Sequence, residues 1–371
     1  KQKTAYEMLR SLVGSEMCIR DRYKTKDDGV SSFSLSAPYL IFLGDIQEEV
    51  DAKTGAGLVQ WCREKVMGQL RFDDCLVDLR VADLSIAQAR VQGVKSIVIG
   101  VAPAGGKISQ RWIEVLTEAA AAGLDVVSGM HCRLEEFPGL VAAATSSGTR
   151  LINVRRPADN LPICTGVKRS GMRLLTVGTD CAIGKKYSAL AITQCMKARG
   201  INVDFRATGQ TGIMIAGQGV PLDAVVADFI AGAAELVSPA NTKDHWDIIE
   251  GQGSLFNPSY AGVSMGLLHG SQPDAIVVCH NPTREVIDTA RHLPLPSVAE
   301  CIDLHLRCAR LTNPNVCCVG VSVNTSGLDA KIRASYLADL SAELNLPCID
   351  PIQDNCDAIV DNIFNEFLSE A

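Results

Sequence analysis

One nine-residue stretch constrains this chain more than any other. Gly178-Thr-Asp-Cys-Ala-Ile-Gly184-Lys185-Lys186 follows an apolar run, Arg173–Val177, and opens a helical pattern over Lys185–Arg199. Strand, glycine loop, lysine and helix in that order are the context of a phosphate-binding P-loop. Backbone N–H groups of such a loop point inward, the new helix presents its positive end, and Lys185 adds a full charge. The plainer alternative is a glycine-containing turn between strand and helix, which would not require a lysine at the helix start. The phosphate reading makes Gly178, Thr179, Cys181, Ala182, Ile183, Gly184, Lys185, Lys186 and Tyr187 the expected ligand-binding residues.

Two departures from an NTPase loop bear on the ligand. Five residues separate the glycines instead of four, and Lys186 stands where an NTPase carries the Ser or Thr that binds Mg²⁺. Loss of that hydroxyl weakens the case for ATP hydrolysis. Two consecutive lysines favour a phosphate-rich ligand bound without a metal, and coenzyme A is one. No metal is therefore expected.

The rest of the chain alternates short apolar runs with helical stretches. Candidate strands are 39–43, 75–79, 96–100, 124–128 and 150–154, with helical periodicity between them, as over Gln110–Ala122. After a polar, proline-containing stretch from Arg155 to Ser170 the alternation resumes. Its strands are 173–178, 202–206, 247–250, 275–279, 316–323 and 348–350, and its helices include 185–199, 222–237, 298–310 and 330–344. Such alternation implies βαβ units and parallel sheets. The chain has 371 residues, 47% of them hydrophobic and only 5% aromatic, which suits two domains whose small side chains pack helices on sheets. The expected fold class is α/β: a Rossmann-like parallel sheet over 37–165, then a P-loop NTPase-like parallel sheet over 166–371. Thr54-Gly55-Ala56-Gly57 lacks the third glycine of a dinucleotide fingerprint.

Residues 1–36 are read as a tail. Within it, Tyr6–Arg22 (YEMLRSLVGSEMCIRDR) looks like translated sequencing-adapter read-through and has no apolar stretch suited to a signal peptide. A net charge of −7 disfavours a nucleic-acid partner. Fourteen scattered cysteines without a C-x-x-C pair read as thiols in a reducing cytoplasm. No apolar run reaches the ~18 residues of a membrane span, so no membrane partner is expected. Small-molecule substrates and a homo-oligomer are the expected partners.

Several further motifs carry a resemblance. The five-residue spacing resembles dethiobiotin synthetase and its relatives, as does the strand ending in Glu250-Gly251-Gln252-Gly253. Along the chain the order is Asp51-Ala-Lys53-Thr54, GTDCAIGKK, Ala207-Thr208-Gly209-Gln210-Thr211-Gly212, EGQGS, Asn281-Pro282 and Val323-Asn324. This order resembles a family long catalogued as a domain of unknown function, with a Rossmann-like domain before a P-loop domain. The GKKY form of the loop is similar to its DgcN-type branch, the D-glutamate N-acetyltransferases. The resemblance implies acetyl-CoA as co-substrate and D-glutamate as acceptor.

Acetyl transfer to an amine needs a phosphate site, partners for two carboxylates, a proton acceptor and a partner for the thioester oxyanion. Glu250 is the first candidate proton acceptor, followed by Asp180 and His280, each expected at the carboxyl end of a strand. Glu250 has an alternative role as a helix-capping acid. Arginine pairs with carboxylates bidentately, which draws attention to Arg133, Arg155 and Arg206. Lys53, Gln210 and Thr211 complete the expected substrate contacts. Cys181, near a helix N-terminus, is also considered as an acyl acceptor. Gly262-Val-Ser264-Met-Gly266 matches a serine-hydrolase elbow but lacks the preceding strand. The rival functions are an ATP-dependent ligase or kinase of the dethiobiotin synthetase type and a non-catalytic nucleotide- or CoA-binding module.

Overall fold

The structure, a computed structural model, describes residues 31–32, 35–102, 106 and 108–367. The segment 1–30, including the adapter-like stretch, lies outside the described residues.

The first domain is a five-stranded parallel sheet. Its strands are β1 (Tyr39–Gly44), β2 (Val66–Arg71), β3 (Ser96–Ile99), β4 (Asp125–Ser128) and β5 (Leu151–Asn153), in the order β2-β1-β3-β4-β5. Every residue of β1 is buried, as a strand covered on both faces requires. Helices α1 (Lys53–Trp61), α2 (Ile86–Val91), α3 (Gln110–Ala121) and α4 (Pro138–Ser147) connect or flank the strands. One expected strand is absent: residues 75–79 are coil, and the strand at this edge is β2. The period-two burial of Cys75 and Val77 is real. However, Leu79 N–H donates to the Gln69 side chain and Leu76 N–H to Ile46 O, so the segment lies across the sheet edge without joining the ladder.

The second domain is a six-stranded parallel sheet. Its strands are β6 (Met172–Gly178), β7 (Val203–Arg206), β8 (Trp246–Ile249), β9 (Ala275–His280), β10 (Cys317–Val323) and β11 (Cys348–Ile349). The order β11-β10-β9-β6-β8-β7 puts the P-loop strand β6 between β8 and β9. Its helices are α5 (Lys185–Ala198), α6 (Gln210–Ala216), α7 (Ile230–Val237), α8 (Ala261–Ser271), α9 (Val298–Ala309), α10 (Ala330–Leu344) and α11 (Asp357–Phe367). The helix expected over 222–237 is broken into two 3-10 turns and α7. Pro221 precedes it, and Val225 and Val226 hold extended backbone in its middle. Residues 210–212 of the Ala207–Gly212 motif form the first turn of α6. Ser264 of the elbow-like motif sits inside α8.

The stretch 155–170 is coil, but it is fastened. Buried Glu235 on α7 accepts hydrogen bonds from Thr165 N–H, Gly166 N–H, the Thr165 hydroxyl and the Cys164 thiol. The domains also share apolar contents. Ala207, Ile213 and Met214 of the second domain belong to the hydrophobic core of the first. Burying the two larger side chains contributes on the order of 4 kcal/mol to holding the halves together.

Candidate active site

Strand β6 delivers Gly178 to the centre of the sheet edge. A side chain there would come within 2.6 Å of Ile183 Cδ1 and 3.0 Å of Cys279 O, so the close turn requires glycine. The loop then passes through two left-handed residues, Ala182 at φ +52° and Gly184 at φ +112°. Among the described residues, the backbone N–H groups of Ala182, Ile183 and Gly184 donate to no protein acceptor. These free donors, beside buried Lys185 at the start of α5, form a cradle that fits a phosphate. Lys185 Nζ donates to Asp180 O at 2.6 Å, and burial pushes its pKa down.

Asp180 anchors the loop. Its Oδ1 accepts from Asn257 Nδ2 at 2.9 Å, and its Oδ2 accepts from Arg284 at 2.9 Å and from Asp288 N–H at 2.8 Å. Burial opposes ionisation, but these donors outweigh it and hold the carboxyl below its ordinary range. The last two donors come from a hairpin, Val286–Ile287 with Ala290–Pro294, and the turn before it. Nothing in the sequence pattern marked this hairpin. Cys181 is pushed up to about 11 by burial and remains a thiol at neutral pH. Thr179 Oγ1 lies 3.1 Å from His280 Nδ1, and burial lowers His280 to about 4, so the ring is neutral.

On the other side of β6, strand β8 ends at Glu250. Its Oε2 accepts from Thr208 N–H at 2.9 Å and Gly209 N–H at 3.0 Å, just before α6. Oε1 makes no hydrogen bond among the described residues. Gly209 and Gly212 leave the space the carboxylate fills, since a side chain at Gly212 would overlap it. Burial raises the Glu250 pKa, partly offset by the two N–H donors and by Lys186. Glu250 thus fastens the backbone just ahead of α6 and is a buried carboxylate whose pKa lies above its ordinary range.

Lys186 points away from the loop, toward the first domain. Its Nζ lies 3.0 Å from where a Gly57 side chain would begin and 4.6 Å from the Tyr187 ring centroid. The Tyr187 ring itself lies 6.4 Å from that of Trp61. Thr211 Oγ1 and Thr54 Oγ1 meet at 2.9 Å across the domain boundary. Gln210, at the first turn of α6, packs its methylenes against Gly129, which follows β4. The structure therefore brings Lys186 and Thr211 against the first domain's helix α1, beside the P-loop helix and the strand that leads to Glu250; Lys53 stands one turn before Gly57 on α1, and Gln210 lies against Gly129.

Two of the three arginines are already paired with carboxylates. Arg133 is exposed at the start of a 3-10 turn. Arg155 is paired with Asp223. Arg206 donates to Asp247 at 2.6 Å and sits 3.3 Å from Asp204. Thr54, Gly57, Asn257 and Arg284 are site residues that the sequence reading did not single out. Two surface cavities of about 670 and 560 Å³ lie elsewhere, beside β2 and between α1 and α5. Among the described residues no group of three or more His, Cys, Asp or Glu is arranged to hold a metal ion, and no helix is long and apolar enough to cross a membrane.

Residues 71–157 match the family described as Domain of unknown function (DUF1611_N) Rossmann-like domain, and residues 162–360 match Domain of unknown function (DUF1611_C) P-loop domain. The chain belongs to the DUF1611 family. A crystal structure of a DUF1611 family protein from Anabaena variabilis superposes with a TM-score of 0.80 at 33% identity, covering 89% of this chain and 99% of that one. Two further relatives carry the name D-glutamate N-acetyltransferase. One, from Tritonibacter scottomollicae, is 46% identical over 327 residues, covering 88% of this chain and 98% of its own. The other, from a Pseudoalteromonas species, is 44% identical over 329 residues, covering 89% and 99%.

Proposed function

We propose that this protein transfers the acetyl group of acetyl-CoA to the amino group of D-glutamate. The observation that carries the reading is the match, over nearly the full length of both chains, to two proteins named D-glutamate N-acetyltransferase. The P-loop geometry supports it: Ala182, Ile183 and Gly184 offer free N–H groups, and Lys185 a cation, to the pyrophosphate of CoA.

In this reading the acceptor's ammonium lies beside Glu250. Oε1 of Glu250 takes a proton, and the freed amine attacks the thioester carbonyl carbon. The new C–N bond forms as the C–S bond breaks, and the CoA thiolate takes up one proton. The second proton of the original ammonium leaves to solvent. Gln210, against Gly129 of the first domain, is positioned to orient the ligand. Asp180 is assigned to hold the loop, because its two oxygens are already occupied and a carboxylate held low in pKa is a weak base. Neutral His280 is assigned to Thr179 for the same reason of low basicity. Arg155 and Arg206, paired with Asp223, Asp247 and Asp204, are left out of the substrate contacts. The reading also takes the enzyme to be cytoplasmic, homo-oligomeric and metal-independent.

An assay of thiol release from acetyl-CoA tests it, run with D-glutamate, L-glutamate and other D-amino acids, each with EDTA or Mg²⁺. Release that requires D-glutamate and survives EDTA is expected. Absence of release with every amine would overturn the assignment.

A further inference from the structure

Lys185 and Lys186 are neighbours in sequence, and a shared role on one phosphate-rich ligand is the simplest expectation. The helix forbids it. Consecutive residues of an α-helix point about 100° apart. Lys185 turns into the loop, with Nζ on Asp180 O at 2.6 Å. Lys186 turns out of it, over the Tyr187 ring and toward Gly57 of α1. Residue 57 has no side chain, and the ammonium lies 3.0 Å from where one would begin.

Lys53, the first residue of the same helix α1, stands one turn before Gly57 and on the same helix face. It acts on Lys186 as a repelling charge, while Glu250 attracts it. Neither lysine forms a salt bridge among the described residues. Two cations, exposed Lys53 and half-buried Lys186, thus stand near one buried carboxylate, Glu250. An anion bound between them would relieve the repulsion and restore balance.

We propose that Lys186 and Lys53 hold the side-chain carboxylate of the amino-acid acceptor between the two domains, leaving the CoA phosphates to Lys185. This inference rests on the acetyltransferase reading for the identity of the acceptor. Ammonium and α-carboxylate share one carbon and must stay together beside Glu250. Only the side-chain carboxylate is free to reach a second domain. The pair of lysines therefore selects a dicarboxylic amino acid over its neutral analogues.

The test uses Lys186→Gln, Lys186→Arg and Lys53→Gln in the full chain, the last at an exposed position that does not threaten folding. KM is measured for D-glutamate and for acetyl-CoA, and calorimetry measures binding of glutarate, a dicarboxylate without an amine, and of CoA. Loss of one charge-assisted contact should raise KM for D-glutamate by about 10- to 100-fold. KM for acetyl-CoA should stay unchanged, the Arg variant should recover part of the loss, and glutarate binding should disappear in both Gln variants. A rise in KM for acetyl-CoA or weaker CoA binding, with D-glutamate and glutarate unaffected, would overturn the proposal. If the wild-type protein transfers acetyl to no amine, the acetyltransferase reading fails on its own. The glutarate arm still decides: binding that both Gln variants lose sustains the anion site, and no wild-type binding sinks it.

Discussion

Single side chains at this site do separable work, and two of them can be tested separately. Lys185 is a buried cation whose carbonyl partner sits in its own loop. Removing it takes away a charge-assisted contact to phosphate and relieves a desolvation penalty. Lys185→Ala should therefore weaken CoA binding by about 10- to 100-fold by calorimetry, with an unchanged circular dichroism spectrum. Glu250 must be ionised to accept a proton, and burial raises its pKa above the ordinary carboxylate value. The rate should accordingly rise with pH through a limb lying above the usual Glu range. Glu250→Gln should lower kcat by about 10²- to 10⁴-fold and abolish that limb. Lys185 was legible in the sequence because its role follows from local order alone: strand, glycine, lysine, helix. The direction of Lys186 was not, since it depends on which face α5 turns to a domain more than a hundred residues earlier. The carboxylate partners of Arg155 and Arg206 were illegible for a related reason, as each is met only after folding.

The elements matter as placements of close backbone. Glu250 fills the room left by two glycines of α6 and its approach, and a methyl at 212 would collide with it. Gly212→Ala sets two effects against each other. Alanine favours a helix by up to about 1 kcal/mol over glycine, while the clash displaces the carboxylate. Activity should fall steeply while Tm stays level or drops only slightly. Retained kcat would mean that Glu250 does not need this position. Strands with continuous apolar runs, such as β1 and β9, were legible in the sequence because both faces are covered. The extended segment 75–79 imitates a strand, since period-two burial arises wherever extended chain crosses a core edge. The hairpin at Val286–Pro294 was missed because its residues are largely exposed and its purpose, clamping Asp180, is a long-range one.

At the scale of the molecule, the two-domain α/β plan followed from the alternation of runs, but the sharing of a core did not. Acid should expose a weakness of the second domain. His280 and His305 are held neutral by burial, each lowered to about 4. Unfolding lets both take up protons near their ordinary value of about 6.5. The unfolded chain therefore binds more protons as pH falls from about 6.5 to 4, and stability is lost over that window, on the order of 3 kcal/mol per histidine. Denaturant melts at stepped pH should show this decline, and replacing His305 with Leu should flatten part of it. An unchanged slope in that variant would exclude His305 as a source. The insertion of Ile213 and Met214 into the other domain's interior has a mechanical consequence. Plug and socket cannot part without wetting both, so a clamshell opening of the halves costs about 4 kcal/mol. Entry and exit at the rim between the domains avoid that cost and leave the phosphate cradle and the acceptor's seat at one spacing.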